Sequence, residues 1–161
     1  MSKLTHYFSN GMPYFITTRT KSGSRAFEDA ETARFFIAIL QYFKYLFSYK
    51  VYAYVVMPDH VHFIIELAAR TAVPLKKVLN EIKGNFSRRY NQKNNTSGSF
   101  WQKGYYDRII RNEHDFKKTL DYIHNNAVKA GLVTTPSEYE FSSYNQWIRE
   151  EKSSLIDRIL L

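Results

Sequence analysis

The sequence predicts an α+β fold in which strands and helices follow one another as β-α-β-β-α-β, with a further helix at the end. Three observations carry this. Runs rich in β-branched and aromatic residues stand at 13–20, 50–57, 60–66 and 105–111. Stretches with apolar residues at helical spacing fill the intervals after the first and third of these runs. Between the second and third run only "PD" intervenes, which joins them as a hairpin. The order is that of the split βαβ, ferredoxin-like arrangement, a small antiparallel sheet with helices on one face.

Each element has its own justification. "PYFITTRT" (13–20) reads as the first strand. Asp29 can cap a helix over about 30–47, whose stripe is Phe36, Leu40, Phe43 and Phe47. "KVYAYVVM" and "HVHFIIE" are the second and third strands. Pro74 suits the first position of the next helix, where its missing N–H costs nothing. That helix turns Leu75, Val78 or Leu79, Ile82, Phe86 and Tyr90 inward and Lys76, Lys77, Lys83 and Arg88 outward. "NQKNNTSGS" (91–99) reads as a polar loop and "YYDRIIR" (105–111) as the fourth strand. Asn112 with Asp115 resembles a capping box for a helix over 113–130, which Gly131 can end.

Composition sets the outer bounds. With 161 residues, 44% hydrophobic and 17% aromatic, the chain can build a core of its own. No repeat, low-complexity tract or linker divides it, so we expect one domain over 1–161. It has no cysteine, which excludes disulfides, thiolate zinc sites and cysteine nucleophiles. The longest apolar stretch, 35–47, contains Gln41 and Lys44 and is too short to span a bilayer. "MSKLTHYFSNG" lacks the apolar stretch of a signal peptide, so the expected location is cytoplasmic.

Charge points to a partner. The net charge is +8. Residues 76–111 hold nine Lys/Arg (Lys76, Lys77, Lys83, Arg88, Arg89, Lys93, Lys103, Arg108, Arg111) against Glu81 and Asp107, a net +7. Such a concentration suits a polyanion, nucleic acid above all; a solvated basic face is the plainer alternative.

Two local patterns carry chemistry. In "MPDHVHFIIE" (57–66) the alternation of a strand puts His60 and His62 on one face and Val61 and Phe63 on the other. Two imidazoles so placed can hold a metal ion, or can simply be half-exposed histidines at a sheet edge. In the helix 113–130, Phe116, Leu120 and Ile123 form the core stripe. Tyr122 and Asn126, one turn apart, lie on its polar flank with Asp115, Lys118 and Lys129. Periodicity alone leaves Tyr122 either a packing residue at the boundary or a functional one.

"VVMPDHVHFII", "FWQKGYYDRIIR" and "DYIHNNAVKAGLV", in this order and spacing, resemble the single-tyrosine transposases of the HUH nuclease class. The resemblance is closest to the REP-associated tyrosine transposases and covers about residues 10–147, including "FSSYNQW". It implies that His60 and His62 bind a divalent metal, Mg²⁺ or Mn²⁺, that Tyr122 is the nucleophile, and that Asn126 is a further ligand. The implied reaction nicks and rejoins single-stranded DNA through a 5′-phosphotyrosine, with no nucleotide cofactor. The implied substrate carries a hairpin, and the implied setting is bacterial and nucleoid-associated. Relatives include both dimers and monomers, so a homodimer is compatible with it. One departure stands out: the family commonly has proline after the asparagine, where this chain has Ala127.

Within this reading, Lys83, Arg88, Arg89, Lys103, Arg108 and Arg111 are candidate DNA contacts. Lys118, one turn before Tyr122, is a candidate support for the phosphate or the phenol, or else a solvated lysine. Trp101 can stack on an unpaired base or, with Phe100, anchor the polar loop to the core. Rival classes are a non-catalytic ferredoxin-like nucleic-acid-binding module, a metal-dependent hydrolase using water, and a replication-initiator or relaxase nuclease. The first leaves both the His pair and the Tyr/Asn pair without a purpose.

Overall fold

The computed structural model describes residues 11–149 and 153–159. Its strands are β1 (Pro13–Arg19), β2 (Lys50–Met57), β3 (His60–Glu66) and β4 (Tyr106–Ile109). Its helices are α1 (Ala30–Phe47), α2 (Leu75–Asn94), α3 (Glu113–Lys129) and the short α4 (Tyr144–Ile148). The sheet runs β2-β3-β1-β4 with every neighbouring pair antiparallel. This is the strand order that a split βαβ fold requires.

Local chemistry sets the element ends. The Asp29 carboxylate accepts from Thr32 N at 2.8 Å and caps α1. Asn112 accepts from Asp115 N at 2.9 Å and caps α3. Asp115 does not reach back to complete a capping box, because its carboxylate is taken by Arg108 and by the Arg111 amide. At the other end of α3, Leu132 N donates to Ala127 O and Gly131 N to Val128 O. That double closure needs a left-handed residue, and Gly131 supplies it at φ 72°.

Three boundaries differ from the sequence expectation. Pro74 stands just ahead of α2, in extended conformation, and its carbonyl accepts from Lys77 N and Val78 N. The helix then runs to Asn94, into the expected loop, and stops at Asn95 with φ 52°. β4 ends at Ile109 because β1 begins at Pro13, whose carbonyl takes the last bond, from Ile110 N.

The sheet is buried on both faces. Ile16, Tyr54, Val56, Val61, Phe63 and Ile65 pack against α1 and α2, the two crossover helices. Phe15, Val55, Ile64 and Met57 face the other way, against Phe116, Ile123 and Ala127 of α3. So the expected placement of helices on one face holds for the crossover pair, and α3 covers the opposite face. The alternation along β2 slips once, at an irregularity between Val51 and Ala53 that sends Tyr52 and Ala53 to the same side. Beyond residue 147, Leu155 and Ile156 join the α1/α2 core, and Asp157 binds Val51 N and Lys44.

An aromatic cluster of Phe27, Phe36, Phe86, Phe100 and Trp101 fills the core beneath α1 and α2. Trp101 is buried and its indole N–H donates to Lys83 O at 3.0 Å. Phe100 and Trp101 are therefore the anchors of the 95–105 loop, and the Trp101 face is not offered to a base.

Candidate active site

β3 delivers His60 and His62 to the sheet face that α3 covers. Their ring centroids lie 4.7 Å apart. Both rings are steered through Nδ1. Asp59 Oδ1 accepts from His60 Nδ1 at 2.6 Å, and Thr17 Oγ1 lies 2.7 Å from His62 Nδ1. Thr17 is available because β1 pairs with β3 in a register that sets Thr17 opposite His62 and Arg19 opposite His60. Burial would push the Asp59 carboxyl up, but its bond to His60 and the nearby charges of His60 and Arg19 bring it below the usual range. It is an acceptor only, so His60 Nδ1 is the donor of this bond and Nε2 is the nitrogen left for another partner.

His62 is more constrained. It is 3% exposed, and burial, with the charges of His60 and Arg19, pushes its pKa down to about 3. The ring is neutral at ordinary pH. Its Nε2 is buried and has no hydrogen-bond partner. An orphaned polar atom of this kind costs about 1–3 kcal/mol. A metal-binding imidazole wants this arrangement: the distal nitrogen held by a neighbour, the proximal one bare. Among the described residues no three His, Cys, Asp or Glu side chains form a cluster. A cation here would draw its remaining ligands from an amide, from water or from the substrate.

α3 brings the tyrosine. The Tyr122 ring lies 5.3 Å from that of His62 and 5.8 Å from that of Phe15, edge-on to both. The residue stays 41% exposed, so one side packs and the other is open. The Lys129 ammonium sits 5.4 Å from the Tyr122 ring centroid. A cavity of about 400 Å³ lies beside the ring, lined by Phe15, Arg108, Asp115, Lys118, Thr119 and Tyr122. Lys118 is thus next to Tyr122 in space as well as in sequence. Asn126 is half-buried one turn further along an unbroken helix. Ala127 continues that helix and packs into the core.

Two interactions hold α3 in place. Arg108 of β4 spans Asp115 Oδ1 and Oδ2 at 2.7 and 2.8 Å, and Thr119 Oγ1 at 2.8 Å. At the far side His124 Nε2 lies 2.9 Å from Ser143 Oγ, which also accepts from Tyr54 N. Burial pushes the His124 pKa down to about 4. Sequence reasoning missed Thr17, Asp59, Arg19 and Ser143 as partners; only Asp59, adjacent to His60, left a local signal.

The candidate DNA contacts are dispersed. Arg88 and Arg89 are exposed on α2, on the other side of the sheet from the His pair. Lys103 and Arg111 are exposed at either end of the β4 segment. Lys83 is half-buried, with its ammonium on the carbonyls of Gln102 and Gly104, and burial lowers its pKa. Arg108 is committed to Asp115 and Thr119.

Comparison with known proteins decides the family. The model of the IS200-like transposases matches residues 9–126, which include His60, His62 and Tyr122. This chain belongs to the IS200-like transposase family. It is therefore an enzyme of the single-tyrosine HUH type. A REP-associated tyrosine transposase of Escherichia coli K12 is 27% identical over 146 residues, covering 91% of this chain and 84% of that one. A Haemophilus influenzae protein provisionally assigned to the same group is 27% identical over 161 residues, covering 94% and 90%. Among solved structures, a REP-associated tyrosine transposase bound to a REP hairpin shares the fold. Its TM-score is 0.72 at 23% identity, over 94% of both chains. A transposase-like protein from Deinococcus radiodurans gives 0.54 at 22% identity, over 71% of this chain and 90% of that one.

Proposed function

We propose that this IS200-like transposase, acting as one domain over 1–161, nicks and rejoins single-stranded DNA with Tyr122 as the nucleophile. The observation that carries the reading is the contact of a half-exposed Tyr122 with His62, whose buried Nε2 is orphaned and whose ring packs against that of His60. A binding module has no use for that arrangement.

In the forward step the Tyr122 oxygen loses its proton and attacks the scissile phosphorus. The bond from phosphorus to the 3′-oxygen breaks, and that oxygen leaves as a 3′-hydroxyl after taking a proton. The 5′-phosphate remains on Tyr122. Because the phosphodiester's energy is kept in the new ester, a 3′-hydroxyl can later attack and release the tyrosine without a nucleotide cofactor. His60 and His62, through Nε2, together with Asn126, are the residues that would hold a divalent ion. Phe116 packs on Tyr52 and Tyr122 on His62, so α3 advances along the sheet toward His60, which supports Asn126 in that set. Neutral imidazoles favour Mn²⁺ at least as much as Mg²⁺. When bound, such an ion supplies Lewis-acid polarisation of a non-bridging phosphate oxygen. Lys118, beside the ring, would steady the phosphate.

The substrate we propose is a hairpin-bearing single strand, as in the hairpin complex of the structural relative. Exposed Arg88, Arg89, Lys103 and Arg111, with Lys83, would contact its phosphates. Arg108 would act chiefly by positioning α3. The test is to incubate the protein with hairpin oligonucleotides and Mn²⁺ and look for an SDS-stable protein–DNA adduct. An adduct that is abolished by chelator supports the reading; free cleavage products without one point to water as the nucleophile.

A further inference from the structure

The helix that carries Tyr122 has three lysines, and they are engaged differently. Lys117 pairs with Glu113 at 2.9 Å. Lys118 lines the cavity beside Tyr122, where its charge, with that of Arg108, acts on Asp115. Lys129, in the last turn of α3, forms no ion pair among the described residues. Its ammonium lies instead 5.4 Å from the centroid of the Tyr122 ring. That is inside the distance of about 6 Å at which a cation is drawn to a ring face.

Helix geometry accounts for the approach. Tyr122, Asn126 and Lys129 stand at i, i+4 and i+7 in α3. At about 100° per residue these positions span an arc of only about 60°. Helical side chains lean toward the N-terminus, so Lys129 reaches back along the Asn126 stripe to the ring. The backbone around it is pinned. Ala130 N donates to Asn126 O, Gly131 N to Val128 O and Leu132 N to Ala127 O. A lysine in a last turn also complements the helix dipole, but that role is served beside the final carbonyls. It does not call for an ammonium over a ring seven residues back. The ring it meets packs edge-on against His62 and Phe15 and is 41% exposed.

We propose that Lys129 is a catalytic residue of the Tyr122 reaction, its ammonium set against the phenol oxygen and the phosphate as charge passes between them. The inference rests on Tyr122 being the nucleophile and adds the group that balances its charge. In the forward step the phenol gives its proton to solvent, and an electron pair of its oxygen forms the bond to phosphorus. The electron pair of the broken bond leaves on the 3′-oxygen, which takes a proton from solvent. In rejoining, the pair returns to the Tyr122 oxygen. Lys129 gives up no proton in either direction. It is a positive charge placed where negative charge gathers in the transition state, which is where electrostatics accelerates a step. Lys118 and Lys129 thus flank the tyrosine from the two ends of α3.

The test is single-turnover cleavage and rejoining of a hairpin-bearing single strand with Mn²⁺, with DNA affinity measured in parallel. It uses the full-length wild type, Lys129→Gln and Lys129→Arg. At saturating DNA, Lys129→Gln should slow both steps about 10- to 100-fold, less than a buried oxyanion donor costs because this lysine is exposed. DNA affinity and thermal melting should hardly change. Lys129→Arg keeps the charge and should recover most of the rate. A purely structural lysine would move the melting temperature and leave the balance between rate and affinity alone. Unchanged rates in Lys129→Gln overturn the proposal. So does weaker DNA binding with full rate at saturation, which would make Lys129 a remote phosphate contact. A Lys129→Arg protein as slow as Lys129→Gln overturns it too, since the charge would not be what the reaction uses. Failure of the underlying reading has a different signature: the wild type then forms no adduct, or Tyr122→Phe forms one as well, and Lys129 loses its role with it.

Discussion

Arg108 grips both carboxylate oxygens of Asp115, at 2.7 and 2.8 Å, and so ties β4 to the first turn of the helix that carries Tyr122. The pair is partly exposed, at 37% and 26%. Burial alone would raise the Asp115 pKa, but Arg108 and the Arg111 amide hold it below the usual range. Discounted for solvent, such a bidentate pair is worth about 1 kcal/mol. Arg108→Ala and Asp115→Asn should each lower stability by roughly that amount, and the double variant should show less than the sum. Chemical denaturation of the four proteins measures it. An Arg108→Ala variant with unchanged stability and weakened DNA binding would return Arg108 to the DNA-contact class.

The burial of His124 makes stability depend on pH. His124 titrates at about 4 in the folded protein against about 6.5 unfolded, so its contribution is complete above pH 6.5. As pH falls below 6.5 the unfolded chain binds the proton first, and up to about 3 kcal/mol is lost on the way to pH 4. His62, pushed down to about 3, adds a term of the same sign in metal-free protein. His124→Gln should therefore flatten, without abolishing, the fall in stability between pH 7 and pH 4. An unchanged slope in urea titrations would contradict the account.

Thr17 should govern the metal site from outside it. Thr17→Val keeps the side-chain shape and removes the oxygen that holds His62 Nδ1. Loss of such a partner typically costs 10- to 100-fold in metal affinity. Thermal-shift titration with Mn²⁺ should show that weakening, and His60→Ala with His62→Ala should show no Mn²⁺-dependent shift at all. Equal Mn²⁺ responses in wild type and Thr17→Val would dissociate Thr17 from the site.

DNA affinity should fall steeply with salt. If about six phosphates are contacted, two or more orders of magnitude are lost across a few-fold rise in salt. Arg88→Gln with Arg89→Gln should lower the slope by about two counter-ions and weaken binding to every sequence alike. Their position across the sheet from His60 means that they would touch DNA far from the reacting phosphate. Binding titrations at several salt concentrations decide this.

Much of the frame was legible because it is local. Period-two alternation places His60 and His62 on one face whatever the rest of the chain does, and Asp29 and Asn112 announce their helices by side-chain chemistry. What was illegible depends on register between distant strands. Thr17 reaches His62, and the charge of Arg19 bears on Asp59 and His62, only because β1 inserts between β3 and β4. Nothing around Thr17 in sequence signals a histidine partner. The facing of Tyr122 onto His62 also needed the packing of α3 on the sheet face opposite α1 and α2. Arg108 looked like a DNA contact for the same reason: its charge is visible in sequence and its partner, seven residues on across a turn, is not.

The most direct test of the central claim is Tyr122→Phe assayed for the covalent adduct alongside stability, metal binding and DNA binding. The substitution removes one oxygen and keeps the ring against Phe15 and His62, so stability should change by no more than about 1 kcal/mol. Metal and DNA binding should persist, while adduct and cleavage vanish together. In the wild-type protein, the modified peptide should carry its phosphate on Tyr122. Cleavage with an adduct in Tyr122→Phe would move the nucleophile elsewhere, with Tyr106, exposed on the same sheet face, the first to examine.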